Sequence, residues 1–446
     1  MLAVDHAVGE LDAGLSVARA TRGISFVVLP APVVAPSAIV AAFRAAPMIA
    51  WASRDLALVG VGCARELRGS GAQRFDQVVA QARALELGAI THAGGAGGGR
   101  WTPRLLGGAA FTPGAADAAP WTGFGDAWFA LPRWTYTTSG HLVLAVDATE
   151  ARHAGRWHDE LAAFRAATTQ FAPRPQPAMT KIDPGDTGAW RAEITAITGA
   201  IARGDYAKVV AARKALVELA GEARAADLLA ELDARHGDCV RVLVRPPGAA
   251  TLVAATPERL VELRGGTRVA CDALAGSLPR DLDPGVLLAS DKDRREHRLV
   301  VDAIASALAA CGAHVDAPSE PGVRALRHVW HLHTPIAATL AAPRHVLELV
   351  AALHPTPAVG GTPTRAATEW IATHEPARGW YASPVGWFDL DGNGELAVAI
   401  RSGVIAGNRA HLWAGAGIVA GSDPERELAE TDIKLRAMLG ALGVAA

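Results

Sequence analysis

Residues 414–434 read AGAGIVAGSDPERELAETDIK and join a glycine-rich apolar strand to the last helix of the chain. Asp423 before Pro424 predicts a helix N-cap followed by proline at the first helical position, and the helix should run to about Leu442. At about 100° per residue, three charged side chains share one face beside its leucine stripe: Glu427, Glu430 and Lys434. The fold must therefore place a charged helix face next to a glycine-rich strand.

Two interpretations of this charged face are open. Glu430 and Lys434 stand one helical turn apart, and such pairs most often are solvated ion pairs worth a few tenths of a kcal/mol. Alternatively, the glycines of the preceding strand let a small anion approach the backbone, while the charged face lines the same cavity. The rest of the chain must decide between them.

Length and charge indicate which ligands to expect. With 446 residues, half of them apolar, the chain can bury a large core. The net charge is −2 and no lysine- or arginine-rich run occurs. We therefore expect no nucleic-acid partner, and a small molecule is the favoured ligand.

The cysteines and the N-terminus indicate the compartment. The four cysteines are scattered without a C-x-x-C pair, so their spacing argues against a zinc site and against a disulfide framework. Acidic residues stand at the N-terminus where a signal peptide would be basic, and prolines interrupt the most apolar early run. We expect a cytoplasmic protein with no export signal and no membrane span.

Composition suggests a boundary near residue 175. Residues 1–175 contain short apolar runs separated by glycine and proline turns, which predicts a strand-rich scaffold. Residues 172–184 are a proline-rich connector. Residues 185–446 interleave strands and helices without strict βαβ repetition, which favours an α+β architecture.

Eight separated motifs stand in the second part. They are Thr256-Pro-Glu258-Arg-Leu, Leu274-Ala-Gly-Ser277, residues 291–297, Trp330-His331, residues 355–363, Ala399-Ile-Arg401, Ala414-Gly-Ala-Gly-Ile-Val419 and Glu427-Leu-x-Glu430-Thr-x-x-Lys434. In this order they resemble the chorismate-utilising enzymes, which include isochorismate synthase, salicylate synthase, anthranilate synthase component I and aminodeoxychorismate synthase. The resemblance covers residues from about 185 to the end, and more weakly the part before.

The resemblance implies a fold, a substrate and a metal. The fold would have large, mostly antiparallel β-sheets in a two-subdomain sandwich core, with helices outside. Chorismate would be the substrate, and Mg²⁺ would be held by Glu296 and Glu430, with Glu427 acting through a water. Arg401 would bind the enolpyruvyl carboxylate, and Lys434 would add positive charge. The other substrate contacts implied are Gly276, Ser277, His331, Ala358, Val359, Gly415 and Gly417.

Two positions separate the branches of this family. The amine-transferring members usually have glutamine where this chain has Lys208, and the aminodeoxychorismate enzymes have a nucleophilic lysine where it has Ala275. The resemblance therefore implies water as the nucleophile, with Lys208 as general base and Glu258 as general acid, in a conversion of chorismate to isochorismate. The base must be neutral and the acid needs a raised pKa, so both side chains should be buried.

Two alternative functions remain to be separated by experiment from isochorismate synthase. Salicylate synthase shares Lys208, Glu258 and the metal glutamates, but residues 357–361 are more similar to isochorismate synthases. An inactive binding homologue would have lost one of these residues, and none is lost. By resemblance we expect a monomer without a glutaminase subunit, whereas a siderophore or menaquinone pathway stays open. Ser383 departs from the glycine common in the family.

Overall fold

The computed structural model describes residues 2–43, 47–92 and 101–444. Eleven α-helices lie in these ranges: α1 (Leu2–Arg19), α2 (Pro36–Ala42), α3 (Arg74–Arg83), α4 (Ala154–Gln170), α5 (Thr187–Arg203), α6 (Ala225–Arg235), α7 (Pro284–Ala289), α8 (Asp291–Ala310), α9 (Val346–Leu353), α10 (Thr364–His374) and α11 (Pro424–Ala441). None of the described helices combines the length and apolarity needed to cross a bilayer.

Twenty-one strands lie in the same ranges. They are β1 (Ile24–Pro30), β2 (Met48–Ala52), β3 (Ala57–Gly69), β4 (Leu87–His92), β5 (Arg104–Ala109), β6 (Ala127–Thr137), β7 (His141–Val146), β8 (Met179–Asp183), β9 (Lys208–Leu219), β10 (Val240–Arg245), β11 (Thr251–Thr256), β12 (Arg259–Arg264), β13 (Arg268–Pro279), β14 (Ala313–Asp316), β15 (Gly322–Ala325), β16 (Val329–Leu340), β17 (Gly361–Thr362), β18 (Pro384–Asp389), β19 (Gly394–Val398), β20 (Ser402–Ala406) and β21 (Arg409–Ile418).

The described strands pair into one connected network that is almost entirely antiparallel. The exception among them is β1, which pairs with β4 in parallel. Strands from the two sides of residue 175 pair with each other, because β2 pairs with β10 and β5 pairs with β18. The architecture is α+β with a large antiparallel sheet, as predicted. The boundary near residue 175 stays a prediction.

Alternate side chains of the central strands face two separate hydrophobic cores. Along β1, Phe26 and Val28 belong to the first core, whereas Val27 and Leu29 belong to the second. This follows from the pleat, which points successive side chains to opposite faces of a sheet. Helices α1, α2, α4, α6 and α11 cover the second core, and α3, α5, α8, α9 and α10 contribute to the first.

The C-terminal helix begins at its predicted cap. The Asp423 side chain accepts a hydrogen bond from the Arg426 amide at 3.0 Å, and Pro424 stands in the first turn. The helix packs on β21, the strand that precedes it, and Glu427 on its charged face is only 2% exposed. This face is therefore not a solvated surface.

The proline-rich connector differs from the prediction. Residues Met179–Asp183 form strand β8, which pairs with β9 and is exposed along its whole length. An exposed edge strand has no buried face, so the apolar alternation that reveals most strands is missing from its sequence.

Candidate active site

The predicted site residues come from separate elements that meet around the pair β9–β21. Lys208 is the first residue of β9, where it also lies opposite Thr362 of β17. Gly417 and Gly415 of β21 lie opposite Val210 and Ala212 of β9. Helix α8 brings Glu296 to this place, and α11 brings its charged face. The chain thus gathers residues more than two hundred positions apart.

Lys208 and Glu296 form a buried ion pair. The Lys208 Nζ donates to Glu296 Oε1 at 2.9 Å, and the two side chains are 1% and 9% exposed. The pair passes directly over Gly417, where an added Cβ would lie 2.2 Å from Glu296 Oε1 and 2.8 Å from Lys208 Cε. Glycine is required at this position because any side chain would displace the pair.

Glu258 lies in the connection between β11 and β12 and is 4% exposed. Its backbone is fixed on both sides, since its amide donates to Thr256 Oγ1 and its carbonyl accepts from the Val398 amide. Burial raises the pKa of Glu258 to about 8, against the opposing charge of Lys208. At neutral pH this carboxyl is mostly protonated and can donate a proton.

His331 of β16 connects the backbone of β13 to Arg401. Its Nδ1 lies 2.8 Å from the Gly276 carbonyl oxygen, and Arg401 Nη2 lies 3.0 Å from its Nε2. A carbonyl can only accept and a guanidinium can only donate, so the ring carries its proton on Nδ1 and is neutral. Burial and the charge of Arg401 lower the pKa of His331 to about 3, which agrees with the neutral ring. Ser277 Oγ lies 3.3 Å from the same Nδ1.

Gly276 makes this arrangement possible. The pairing of β13 with β16 shifts between Ala275 and Ser277, and Gly276 has a φ of +66°. A β-bulge whose extra residue has left-handed backbone angles favours glycine at that residue. The Gly276 carbonyl is then available to the His331 ring.

Arg401 lies between β19 and β20 with a φ of +51°, which is uncommon for a non-glycine residue. Strained backbone of this kind is found at binding and catalytic sites, where the surrounding structure holds it. Arg401 lines a small cavity of about 50 Å³ together with Ala358, Val359, Gly415 and Lys434. This volume is below that of ligand pockets in general, so a substrate must displace some of the side chains that now meet here.

The charged face of α11 carries two further lysine–glutamate pairs. Lys434 Nζ contacts Glu430 Oε1 at 2.5 Å and donates to the Gly415 carbonyl at 2.8 Å. Lys292 Nζ donates to Glu427 Oε1 at 2.8 Å. Burial alone would raise the pKa of Glu430, but the charge and hydrogen bond of Lys434 lower it below its usual value. Burial and the charge of Glu430 raise the pKa of Glu427.

The three glutamates Glu296, Glu427 and Glu430 fit a small divalent cation by their chemistry. Lys292 contacts only Glu427 among them, but the charges of Glu427, Glu296 and Glu430 all raise its pKa, so a cation in this region is favoured by all three acids. Carboxylate oxygens are the ligands that Mg²⁺ prefers, usually few in number and completed by waters. Within the described ranges, however, the three carboxylates do not bring their oxygens within 4.8 Å of one another.

Three further residues belong to this region and carried no role in the sequence prediction. Tyr381 lines the small cavity, and burial raises its pKa to about 12. Arg378 makes two hydrogen bonds to Glu375 and donates to the carbonyls of Val359 and Val210, so it fixes the cavity wall. Lys292 lies inside the charged motif 291–297. Only Lys292 gave a sequence signal, because a lysine beside buried acids indicates a counterion.

Ser383 fits without backbone strain. It is not among the described residues with positive φ, and its hydroxyl reaches the carbonyls of Gly379 and Tyr381 at 3.3 Å. The neighbouring Ala382 carries the left-handed turn instead, with a φ of +59°.

The antiparallel α+β fold gathers a buried lysine, a buried glutamate with a raised pKa and a half-buried arginine, an arrangement typical of enzymes that act on small molecules. A family model described as chorismate binding enzyme matches residues 18–443 of the chain. The chain therefore belongs to the chorismate-binding enzyme family.

Individual relatives agree with this assignment. The salicylate biosynthesis isochorismate synthase of Pseudomonas aeruginosa is 36% identical over 419 residues, which cover 90% of this chain and 85% of that protein. The menaquinone-specific isochorismate synthase MenF of Escherichia coli has a TM-score of 0.80 at 27% identity, covering 98% of this chain and 99% of that chain. Anthranilate synthase component I from Streptococcus pneumoniae has a TM-score of 0.66 at 18% identity over 86% and 92% of the two chains. The predicted family and fold are confirmed.

Proposed function

We propose that the protein is an isochorismate synthase, which adds water at C2 of chorismate while the hydroxyl group leaves C4. The observation that supports this most directly is that Lys208 and Glu258 are both buried, and that the charge of Lys208 acts on the Glu258 carboxyl, whose pKa burial raises to about 8. The names of the Pseudomonas aeruginosa and Escherichia coli relatives support the same activity.

Substrate binding would use the positive groups of the small cavity. Arg401 could make a bidentate bond to the enolpyruvyl carboxylate, with amides near Gly415 and Gly417 as further donors. Lys434 would turn from the Gly415 carbonyl toward the substrate. Gly276, Ser277 and His331 would border the ring, and Ala358 and Val359 would close the cavity. Since the neutral His331 accepts from Arg401, it holds the guanidinium without adding charge.

Glu258 would serve as the general acid. Burial keeps its proton in place at neutral pH, and the departing C4 hydroxyl accepts that proton as the C4–O bond breaks, so that it leaves as water. The ring double bonds shift while the new C2–O bond forms. One water enters and one leaves, so chorismate and isochorismate have the same composition.

Lys208 would serve as the general base. It can act as a base only as the neutral amine, so its ion pair with Glu296 must open before the reaction. The neutral amine then accepts a proton from the water that attacks C2.

Glu296 and Glu430 would hold Mg²⁺, with Glu427 acting through a water, as their donor chemistry allows. When bound, the ion would neutralise a ring carboxylate of the substrate and position it.

Product analysis tests the proposal. Purified protein with chorismate and Mg²⁺ should give isochorismate alone, separated by chromatography. Salicylate with pyruvate at neutral pH would reassign the protein to the salicylate synthases, and no turnover would favour an inactive binding homologue. Because Lys208 stands where amine-transferring members have glutamine, addition of ammonia or a glutaminase should not create an aminated product. We also expect a cytoplasmic monomer, which light scattering and cell fractionation would test.

A further inference from the structure

A second group of metal-ligating side chains lies outside the proposed active site. His236, Asp238 and Cys239 form the turn between α6 and β10, and their ligand atoms all lie within 4.8 Å of one another. His236 and Cys239 are buried, and Asp238 is exposed. The spacing of the cysteines alone argued against zinc, but that argument missed a site with a single cysteine.

The turn is rigid before any ligand arrives. The His236 amide donates to the Leu232 carbonyl at 2.8 Å, and the Cys239 amide donates to the His236 carbonyl at 3.0 Å. Arg241 Nη1 donates to the carbonyl of Cys239 at 2.6 Å and to that of Gly237 at 3.2 Å. These bonds hold the three ligand side chains on one side of the turn, and such preorganisation favours binding.

The surroundings give the site an entrance and a candidate fourth ligand. Asp238 and Cys239 line a cavity of about 950 Å³, through which an ion can enter. The His328 ring lies 6.1 Å from the His236 ring, centroid to centroid. Within the described part of the chain, His236 has no side-chain hydrogen bond that would compete with a metal.

We propose that His236, Asp238 and Cys239 bind a zinc ion, with His328 or water at the fourth position. One imidazole, one thiolate and one carboxylate suit Zn²⁺, which accepts nitrogen, sulfur and oxygen ligands in tetrahedral geometry. Mg²⁺ prefers oxygen ligands only and should not compete. The site is thus chemically distinct from the glutamates of α8 and α11.

A zinc ion bound at this site would affect the proposed active site. Arg401 also lines a second cavity, of about 20 Å³, together with His236, Cys239 and His328. A cation here attracts the substrate carboxylate, whereas it repels the Arg401 guanidinium equally with and without substrate, so zinc should strengthen the binding of a substrate carboxylate at Arg401. This consequence rests on the proposed function, whereas the binding of zinc does not.

Cd²⁺ tests the site, because a cadmium–thiolate bond has an ultraviolet charge-transfer band. Metal-free, reduced protein should develop this band, and Zn²⁺ should remove it while excess Mg²⁺ should not. Cys239→Ser should lose the band, whereas Cys311→Ser, at a half-buried cysteine elsewhere, should keep it. Absence of the band in the wild type, or its persistence in Cys239→Ser, would overturn the proposal.

A surface variant removes the question of folding. Asp238 is exposed, so Asp238→Asn should fold normally and bind Zn²⁺ at least about tenfold more weakly in competition with a chromophoric chelator. Zinc should raise the thermal midpoint of the wild type and raise that of Cys239→Ser less. Equal affinity in Asp238→Asn, or an equal thermal shift in Cys239→Ser, would place the bound zinc elsewhere. None of these measurements depends on turnover of chorismate.

Discussion

Gly417→Ala should separate catalysis from stability. The new Cβ would lie 2.2 Å from Glu296 Oε1 and 2.8 Å from Lys208 Cε, whereas Cβ atoms essentially never approach another atom of this kind within 3.0 Å. The Glu296 carboxylate must therefore move by about 1 Å, and the Lys208 ammonium that is bonded to it must follow. A displacement of this size at a reacting group costs about 100-fold in rate.

The effect on stability should be much smaller. The atoms that the new methyl group meets are at the ends of side chains, so they can turn aside without a shift of β9 or β21. We expect a loss of about 1–3 kcal/mol in the free energy of unfolding, typical of an overpacked site, and a thermal midpoint only a few degrees lower.

Initial rates with chorismate, measured by chromatography of the product, check this prediction beside a thermal melt. Gly322→Ala is the matched control, because Gly322 also lies in a strand but its added Cβ would meet nothing nearer than 3.7 Å. The control should keep the wild-type rate. A Gly417→Ala protein with nearly wild-type kcat/KM would refute the placement of the Lys208–Glu296 pair at the reaction centre.

Three more predictions address the groups around this pair. Lys208→Gln should lower kcat by about 100-fold or more but leave the fold intact, because the amide can still donate to Glu296; retained turnover would mean that Lys208 is not the base. Glu430→Gln should raise the Mg²⁺ concentration needed for half-maximal rate, whereas Glu425→Gln, exposed on the same helix, should not; equal metal titrations would mean that Glu430 does not bind the metal. The pKa of Glu258 is raised to about 8 and its acid form is the one that reacts, so kcat/KM should fall as pH rises through about 8. The residual activity of Glu258→Gln should not show this fall, and an unchanged pH profile in the variant would mean that another group causes it.

The fold was predictable where local signals agree with the final structure. Asp423 and Pro424 begin α11, as the sequence indicated. Strand β8 was missed because its exposure removes any apolar pattern. The pairing of β5 with β18 joins residues almost three hundred positions apart, and a single sequence has no local signal for such a contact.

The sequence allowed us to predict which residues form the site, but not which of them contact one another. The resemblance identified Lys208 and Glu296, yet their hydrogen bond depends on how α8, which packs on β13, β14 and β16, is brought to the start of β9. The role of Arg378 as a clamp was not foreseeable, because a buried arginine that bonds only to protein atoms resembles any surface arginine in the sequence.

The structure also explains how two buried acids, Glu296 and Glu427, and the half-buried Glu430 can lie in one region. Glu296, Glu427 and Glu430 each have their own lysine: Lys208, Lys292 and Lys434. Each lysine cancels a charge that would otherwise be costly in a buried position. The same pairing holds Lys208 on Glu296, and Lys434 on Glu430 and the Gly415 carbonyl, so these contacts must open before the proposed reaction. A dication held by the glutamates would compete with the lysines for the same carboxylates, so metal binding and the opening of these pairs would be linked.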